Sequence, residues 1–213
     1  IVDGKVIFDV GSATNDFGNA LVVGARAVGN PELELRSGTL RPTDTWFSIS
    51  RGNTNTATFR MLGGRLEASG LIMSFAGGRN PFSSRSYLYQ TAGDIVVNGD
   101  AYVPESNGGV GYLQFSGGTL THKGWGEGFD FARSGTAGSQ MIVESNAVLT
   151  LNAFRVNIGG SLAVRNGGRL NIRHMRDASS GSSTFDNATL GAYPGAAYND
   201  WFHSHGAFTI GPG

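Results

Sequence analysis

The sequence has no cysteine, few charges and no long apolar run. Because none of its 213 residues is cysteine, disulfides, thiolate metal sites and a cysteine nucleophile are excluded. Charged residues make up 15% of the chain, against about 25% in a typical globular domain, and the formal net charge is +0. Without a net positive field, nucleic acid is not an expected partner. Since no apolar run approaches about 20 residues, we expect no membrane insertion.

Helix-forming composition is also missing, and glycine takes its place. The chain has 34 glycines, a share well above the usual 7% or so, and no sustained 3.6-residue periodicity. These features exclude a coiled coil or another long-helix protein. Aromatic residues reach 10%, which is enough to build a core and argues against a disordered chain.

One short pattern recurs along the chain: spaced apolar residues, a small pair, any residue, and then an aliphatic residue. The clearest copies are FRMLGGRL (59–66), LQFSGGTL (113–120) and LAVRNGGRL (162–170). The copies lie 20–29 residues apart, a spacing typical of solenoid repeats. The aliphatic residue that closes each copy is a predicted core-ladder position; the seven are Leu40, Leu66, Ile95, Leu120, Leu149, Leu170 and Leu190.

The small pair predicts a corner between two strands. Where the two apolar positions of a copy lie five residues apart, they would face opposite sides of one flat strand. Both can point inward only if the pair bends or bulges the chain, which glycine permits. The predicted corner glycines are Gly38, Gly64, Gly93, Gly118 and Gly168. Near Glu144 the pattern slips, and we expect Met141 and Val143 to point inward there instead.

These features predict an all-β fold, a single-stranded parallel β-helix (β-solenoid) of about seven or eight coils of 20–29 residues. Period-2 apolar runs such as WFSIS (46–50) and LIMSF (71–75), each followed by a polar turn, supply further short strands. Coils stacked about 4.8 Å apart would form a rod of roughly 35 Å, with one continuous core. We expect right-handed coiling, as in other parallel crossovers. A β-sandwich is the competing all-β interpretation.

The repeat resembles a known family. FSGGTLTHKG (115–124) and TFDNATLGA (184–192) are similar to the autotransporter-associated β-strand repeats of bacterial surface proteins, and the resemblance covers roughly residues 20–213. It implies a right-handed parallel β-helix at a secreted or cell-surface location. It carries no catalytic residues and no cofactor to transfer, and no translocator barrel follows in the sequence.

Parallel β-helices also include enzymes that cleave polysaccharides, so a second function stays open. Such enzymes need carboxylates and basic residues on one outward face. The acidic residues here do not recur at one repeat position; Glu127 and Asp130 beside Trp125 are the nearest approach to a sugar site. His203 and His205 supply two imidazoles at i, i+2, which do not complete a metal site. We predict no enzyme, no cofactor and no metal, with a polysaccharide-binding or polysaccharide-cleaving β-helix as the alternative.

Positive charge is concentrated between residues 145 and 176, a stretch without any acid. Arginine binds carboxylates with two parallel hydrogen bonds, so an anionic glycan or an acidic neighbouring subunit is a predicted contact. The alternative is a solvated face with acids supplied by adjacent coils. The candidate contact residues, called the arginine window below, are Arg155, Arg165, Arg169, Arg173 and Arg176.

The chain is interpreted as one solenoid domain, 1–213, and as a segment of a longer protein. Residues 1–30 form N-terminal coils, 31–174 regular coils, and 175–213 irregular, aromatic-rich coils. A solenoid end exposes unpaired strand edges and a cross-section of the core, and neither terminus encodes a capping helix. We therefore expect other copies of the chain, head to tail, or flanking repeats as partners. The leading function is a structural, extracellular or cell-surface rod that forms fibres or an adhesive stalk.

Overall fold

The computed structural model describes residues 1, 3–25, 29–43, 46–51, 55–75, 83–105, 108–133, 137–175 and 181–195, and the backbone of 208–210. Twenty β-strands and no helix are found within these residues. The strands are β1 (Lys5–Phe17), β2 (Leu21–Val23), β3 (Glu32–Pro42), β4 (Trp46–Ile49), β5 (Thr56–Met61), β6 (Arg65–Ala68), β7 (Gly70–Met73), β8 (Arg85–Gln90), β9 (Asp94–Val97), β10 (Ala101–Val103), β11 (Val110–Phe115), β12 (Thr119–His122), β13 (Phe129–Phe131), β14 (Ser139–Val143), β15 (Val148–Val156), β16 (Gly160–Arg165), β17 (Arg169–Met175), β18 (Ser182–Asp186), β19 (Thr189–Ala192) and β20 (Phe208–Ile210).

All strand pairs are parallel, and each strand between the two ends pairs with strands one coil before and one coil after it, whereas the end strands β1, β2, β19 and β20 have one partner each among the described residues. The strands thereby form three stacks. The first face contains β5, β8, β11, β14, β16, β18 and β20, with the first halves of β1 and β3. The second face contains the second halves of β1 and β3, followed by β6, β9, β12, β15, β17 and β19. The third face contains β2, β4, β7, β10, β13 and the ends of β15 and β17.

This arrangement is a parallel β-solenoid of about six turns. The all-β prediction and the solenoid prediction are confirmed, and the β-sandwich is excluded because pairing runs between coils. Along the strands, inward and outward side chains alternate, as in β8, where Ser86, Leu88 and Gln90 are buried and the residues between them are not.

One column of aliphatic side chains runs along the inside of the second face. Leu40 pairs with Leu66, and the pairing continues through all seven predicted ladder residues to Leu190. The first six are at most 1% exposed, whereas Leu190 is half-buried. Burying a leucine side chain is worth roughly 1.5–3 kcal/mol, so this column is a main source of stability.

A parallel inward column lies on the first face and includes one polar residue. Gln90 pairs with Met61 on one side and with Phe115 on the other, and its side chain is buried. Its Nε2 donates to the carbonyl of Gly93 at 2.8 Å and to that of Thr119 at 2.9 Å. At the predicted slip, Val143 and not Glu144 pairs with Phe115, which leaves Met141 and Val143 buried.

Four predicted corner glycines adopt the left-handed backbone that the corner requires. The φ values of Gly38, Gly64, Gly93 and Gly118 are 80°, 70°, 78° and 74°. These glycines also stack on one another, because a Cβ on Gly64 would lie 2.5 Å from the carbonyl oxygen of Gly38. Both the dihedral and the close approach therefore call for glycine.

Gly168 does not fit that description, because its corner is of a second type. In the coils that begin at β14 and β16, two consecutive residues have positive φ: Ser145 with Asn146, and Asn166 with Gly167. The amide of Gly168 donates to the carbonyl of Arg165 at 2.9 Å, which closes a type I′ turn. Gly168 is instead required for close packing, since a Cβ there would lie 2.3 Å from the Val143 carbonyl oxygen.

Candidate functional site

Two members of the arginine window meet acids supplied by adjacent coils. Arg165 Nε lies 2.9 Å from Glu144 Oε2 on the first face. Arg155 Nη1 lies 3.5 Å from Asp130 Oδ2 on the third face. Hydrogen bonds from Gln114 and Arg165 lower the pKa of the Glu144 carboxyl, although burial opposes this. These contacts partly neutralise the positive charge that the sequence concentrates here.

The other arginines of the window have different surroundings. Arg169 Nε donates to Asn171 Oδ1 at 2.9 Å, and the Arg173 guanidinium lies 4.9 Å from the centre of the Trp125 ring. Arg176 lies outside the described residues. Since Arg155 is on the third face and Arg165 on the first, the described members do not share one face. Contact with an anionic glycan or an acidic neighbour stays a prediction.

A second group of charges and rings lies on the third face, and we call it the Asp130 cluster. Its members are Trp46, Tyr102, Glu105, Asp130, Arg133, Arg155 and Asn157. Tyr102, Asp130 and Arg155 occupy successive outward positions in the register of β10, β13 and β15. Trp46 stacks on Tyr102 with ring centres 5.5 Å apart, and the Arg133 guanidinium lies 4.0 Å from the Tyr102 ring centre.

The two carboxyl groups of the Asp130 cluster share one arginine. Arg133 Nε lies 3.6 Å from Glu105 Oε2 and 3.8 Å from Asp130 Oδ2, and Asn157 Nδ2 donates to Asp130 Oδ1 at 2.5 Å. Burial raises the pKa of Asp130 above its ordinary value, with Asn157 and the arginines opposing. Burial likewise raises the pKa of Glu105. A raised carboxyl pKa suits a proton donor, and arginine beside it suits an anion.

The sequence predicted Glu127 and Asp130 beside Trp125 as the nearest approach to a sugar site. In the structure Glu127 is close enough to act electrostatically on Asp130, whereas the Trp125 ring contacts other residues. Trp125 is 48% exposed and lies against Arg173, with the His174 ring centre 6.0 Å away. Asp130 is 1% exposed and contacts Arg133, three residues along the chain, and Arg155 on the next coil. The cluster was therefore missed as a unit, because its partners come from coils about 25 residues apart.

Three tyrosines form a third outward group, called the tyrosine patch, which sequence analysis missed. Tyr87 and Tyr89 lie on β8 and Tyr112 lies on β11, directly beside Tyr87. The ring centres are 6.1, 6.0 and 5.8 Å apart, and the rings are half-buried. Arg60 places its guanidinium 4.7 Å from the Tyr89 ring centre. The alternation of YLYQ (87–90) was the available signal, because it puts both tyrosines outward.

The outer edge of β1 forms a fourth feature, here called the β1 edge. β1 is the longest strand, with 13 residues, and among the described residues it pairs only with β3. Val6 occupies an inward position opposite Leu33, which is fully buried, yet Val6 is 36% exposed. Ile7 and Val10 are 47% and 39% exposed. Within the described part of the chain, this end of the core is therefore exposed to solvent, and the outer backbone groups of β1 have no strand partner.

His122 is a buried titratable group inside the solenoid. It occupies an inward position between Val97 and Leu151, is 0% exposed, and meets Phe129 edge-on with ring centres 5.7 Å apart. Neither ring nitrogen has a well-formed hydrogen bond. Burial lowers its pKa to about 4, and the Asp100 carboxylate and the Gly99 backbone offset this only in part.

The described part of the chain shows neither a metal-binding cluster nor a membrane-spanning helix. No group of three or more histidine, cysteine, aspartate or glutamate side chains within it is arranged to hold a metal ion. The predicted pair His203 and His205 lies outside the described residues. Within the same part of the chain, no helix is long and apolar enough to cross a membrane.

Comparison with known proteins adds no family. No family model matches the chain, and neither a curated protein nor a solved structure matches it.

Proposed function

We propose that the chain is a structural rod of an extracellular or cell-surface protein, and that rods join end to end into fibres or form an adhesive stalk. The rod has no catalytic role in this proposal. The observation that carries it is the β1 edge, where a 13-residue strand and the end of the core are both uncovered. Unpaired strand edges are templates for strand addition.

The backbone of β1 is suited to receive a further parallel strand. The Glu32 amide donates to the Gly4 carbonyl at 2.8 Å, and in a parallel ladder the groups of alternate residues point to the same side. The N–H and C=O groups of Lys5 and Ile7 therefore point away from β3, toward the open edge. A contact between the two different ends of a rod is heterologous, and it makes an open filament unless it closes.

The finer features of the rod belong to the same proposal. Right-handed coiling is supported by the strong preference of parallel crossovers for that hand. A count of seven or eight coils is supported by the seven copies of the repeat, spaced 20–29 residues apart. The GG-x-L copies support membership of the autotransporter-associated repeats, and a cysteine-free composition with no net charge is compatible with a surface location. Partners would be further copies or flanking repeats.

Analytical ultracentrifugation of Ile7→Pro tests the edge. Proline removes an amide that points away from β3, and an edge strand tolerates this. We expect the wild-type chain to sediment as larger species with rising concentration, and Ile7→Pro to sediment as single rods. The matched control Ile7→Thr keeps the amide and should still associate. Wild-type single rods at every concentration, or equal association of Ile7→Pro, would overturn the proposal.

A polysaccharide-binding or polysaccharide-cleaving β-helix is the second candidate. The Asp130 cluster favours it, because carboxyl groups and arginines from adjacent coils converge there on one outward face. Release of reducing ends from polygalacturonate or xylan, abolished in Asp130→Asn, would establish cleavage. Absence of product with the folded wild-type chain would reject it.

A further inference from the structure

We propose that the tyrosine patch binds an uncharged polysaccharide, with pyranose rings lying against the tyrosine rings. This inference gives the rod a ligand and does not depend on catalysis at the Asp130 cluster. The placement of the three tyrosine rings supports this assignment. Tyr87, Tyr89 and Tyr112 come from two neighbouring strands of a flat parallel stack, and the three ring centres form a nearly equilateral triangle with sides of about 6 Å.

The scaffold holds these rings in place before any ligand binds. Leu88 and Leu113, which alternate with the tyrosines, are fully buried and paired with each other. The Arg60 guanidinium further restrains Tyr89. Rigid aromatic rings lose little conformational entropy on binding, and a preorganised surface binds more tightly than a mobile one. A sugar ring presents an apolar C–H face and a rim of hydroxyls, so it suits aromatic faces bordered by polar groups.

Polar side chains border the rings along the register. Thr58 lies beside Tyr87, Gln114 beside Tyr89 and Gln140 beside Tyr112. The three phenol hydroxyls have no hydrogen-bond partner among the described residues. Hydroxyl and amide groups both donate and accept hydrogen bonds, which matches the hydroxyl rim of a sugar. If an aliphatic surface of another protein covered the patch instead, the phenol hydroxyls and the bordering amides would have no hydrogen-bond partners.

Charge selects an uncharged ligand over an acidic one. The charges bordering the patch are largely paired with one another: Arg60 Nε lies 3.2 Å from Glu32 Oε2, and Lys5 Nζ lies 2.8 Å from Glu32 Oε1. On the far side, Arg165 is paired with Glu144. Only Arg85, at the start of β8, stands exposed without a carboxylate among the described residues. The centre of the patch therefore offers rings, hydroxyls and amides.

Affinity gel electrophoresis of the 213-residue chain tests this assignment. Each gel contains one polysaccharide. Four gels contain an uncharged polymer, which is hydroxyethylcellulose, xylan, a β-1,3-glucan or mannan, and a fifth contains the acidic polygalacturonate. We expect at least one uncharged polymer to retard the wild-type chain. Tyr89→Ala should weaken the apparent affinity about tenfold through lost ring contact, and Tyr89→Phe should stay within about twofold.

Trp125→Ala is the matched control, since Trp125 is also a surface ring with an arginine guanidinium over it. This variant should bind like wild type, and far-UV circular dichroism verifies that all variants are folded. Retardation by none of the uncharged polymers, retardation by polygalacturonate alone, or equal losses in Tyr89→Ala and Trp125→Ala would overturn the inference. If the rod proposal holds, Tyr89→Ala still associates with rising concentration in sedimentation. Failure of polysaccharide binding can therefore be told apart from failure of end-to-end association.

Discussion

Replacing the buried His122 by leucine should remove part of the acid sensitivity of the fold. The folded-state pKa is about 4 and the unfolded-state value is about 6.5. Because the folded value is depressed, the unfolded chain binds the proton more readily. Stability from the neutral ring is fully present above pH 6.5 and is lost as the pH falls toward 4. The difference corresponds to about 3 kcal/mol in total, of which about 2–2.5 kcal/mol is lost between pH 7.5 and 4.5.

Urea unfolding at pH 7.5, 6.5, 5.5 and 4.5 measures this effect. Leucine suits the site because its register neighbours are Val97 and Leu151, so His122→Leu should be at least as stable as wild type at pH 7.5. Carboxyl groups contribute to the pH dependence as well: the pKa of Glu144 is lowered and that of Asp130 is raised. Protonation of Glu144 at low pH therefore destabilises the fold, whereas protonation of Asp130 stabilises it. Both proteins share these groups, so the difference between them isolates His122. Equal pH dependence in the two proteins would refute a buried neutral histidine.

Four further substitutions test the corners and the core by urea unfolding at pH 7.5. Gly64→Ala should destabilise the chain by more than the roughly 1–2 kcal/mol cost of the left-handed backbone, because its Cβ also meets the Gly38 carbonyl; a loss below 0.5 kcal/mol or so would contradict the corner. Leu120→Ala should cost about 3–5 kcal/mol, and Leu190→Ala, at the half-buried end of the same column, clearly less; equal costs would argue against a continuous ladder. Asn146→Gly should stabilise by about 0.5–1 kcal/mol, because position 146 has a φ of 69° in a turn closed by the Ala147 amide, and relief of the left-handed strain of roughly 1–2 kcal/mol outweighs the roughly 0.4–1 kcal/mol that a freer unfolded backbone costs; destabilisation would show that the Asn146 side chain matters more than the backbone.

The inward-facing residues of the solenoid could be predicted from the sequence because their pattern lies within a few consecutive residues. An aliphatic residue at a fixed distance from a small pair predicted the column from Leu40 to Leu190, and the register places them together. The second corner type was harder to predict, because Asn166 and Gly167 adopt the positive φ values of a tight turn. Gly168 is therefore needed for close packing and not for a left-handed backbone. Both corner types satisfy the same need to turn two inward positions toward one core.

The outward groups were harder to predict, for a physical reason. Arg133 meets Glu105 on the preceding coil, and Arg155 meets Asp130 on the preceding coil, so these contacts depend on the length of every loop between them. Charge counted along the chain suggested one basic surface between residues 145 and 176, but successive strands point those arginines to different faces. Tyr87 and Tyr89 were visible in the alternation, and only the register with Tyr112 makes them a patch.

Negative-stain electron microscopy of the 213-residue chain over a dilution series tests the end-to-end rod most directly. We expect long uniform filaments at high concentration, with an axial repeat close to the length of one rod, and shorter filaments on dilution. Dispersed single rods at every concentration would contradict it.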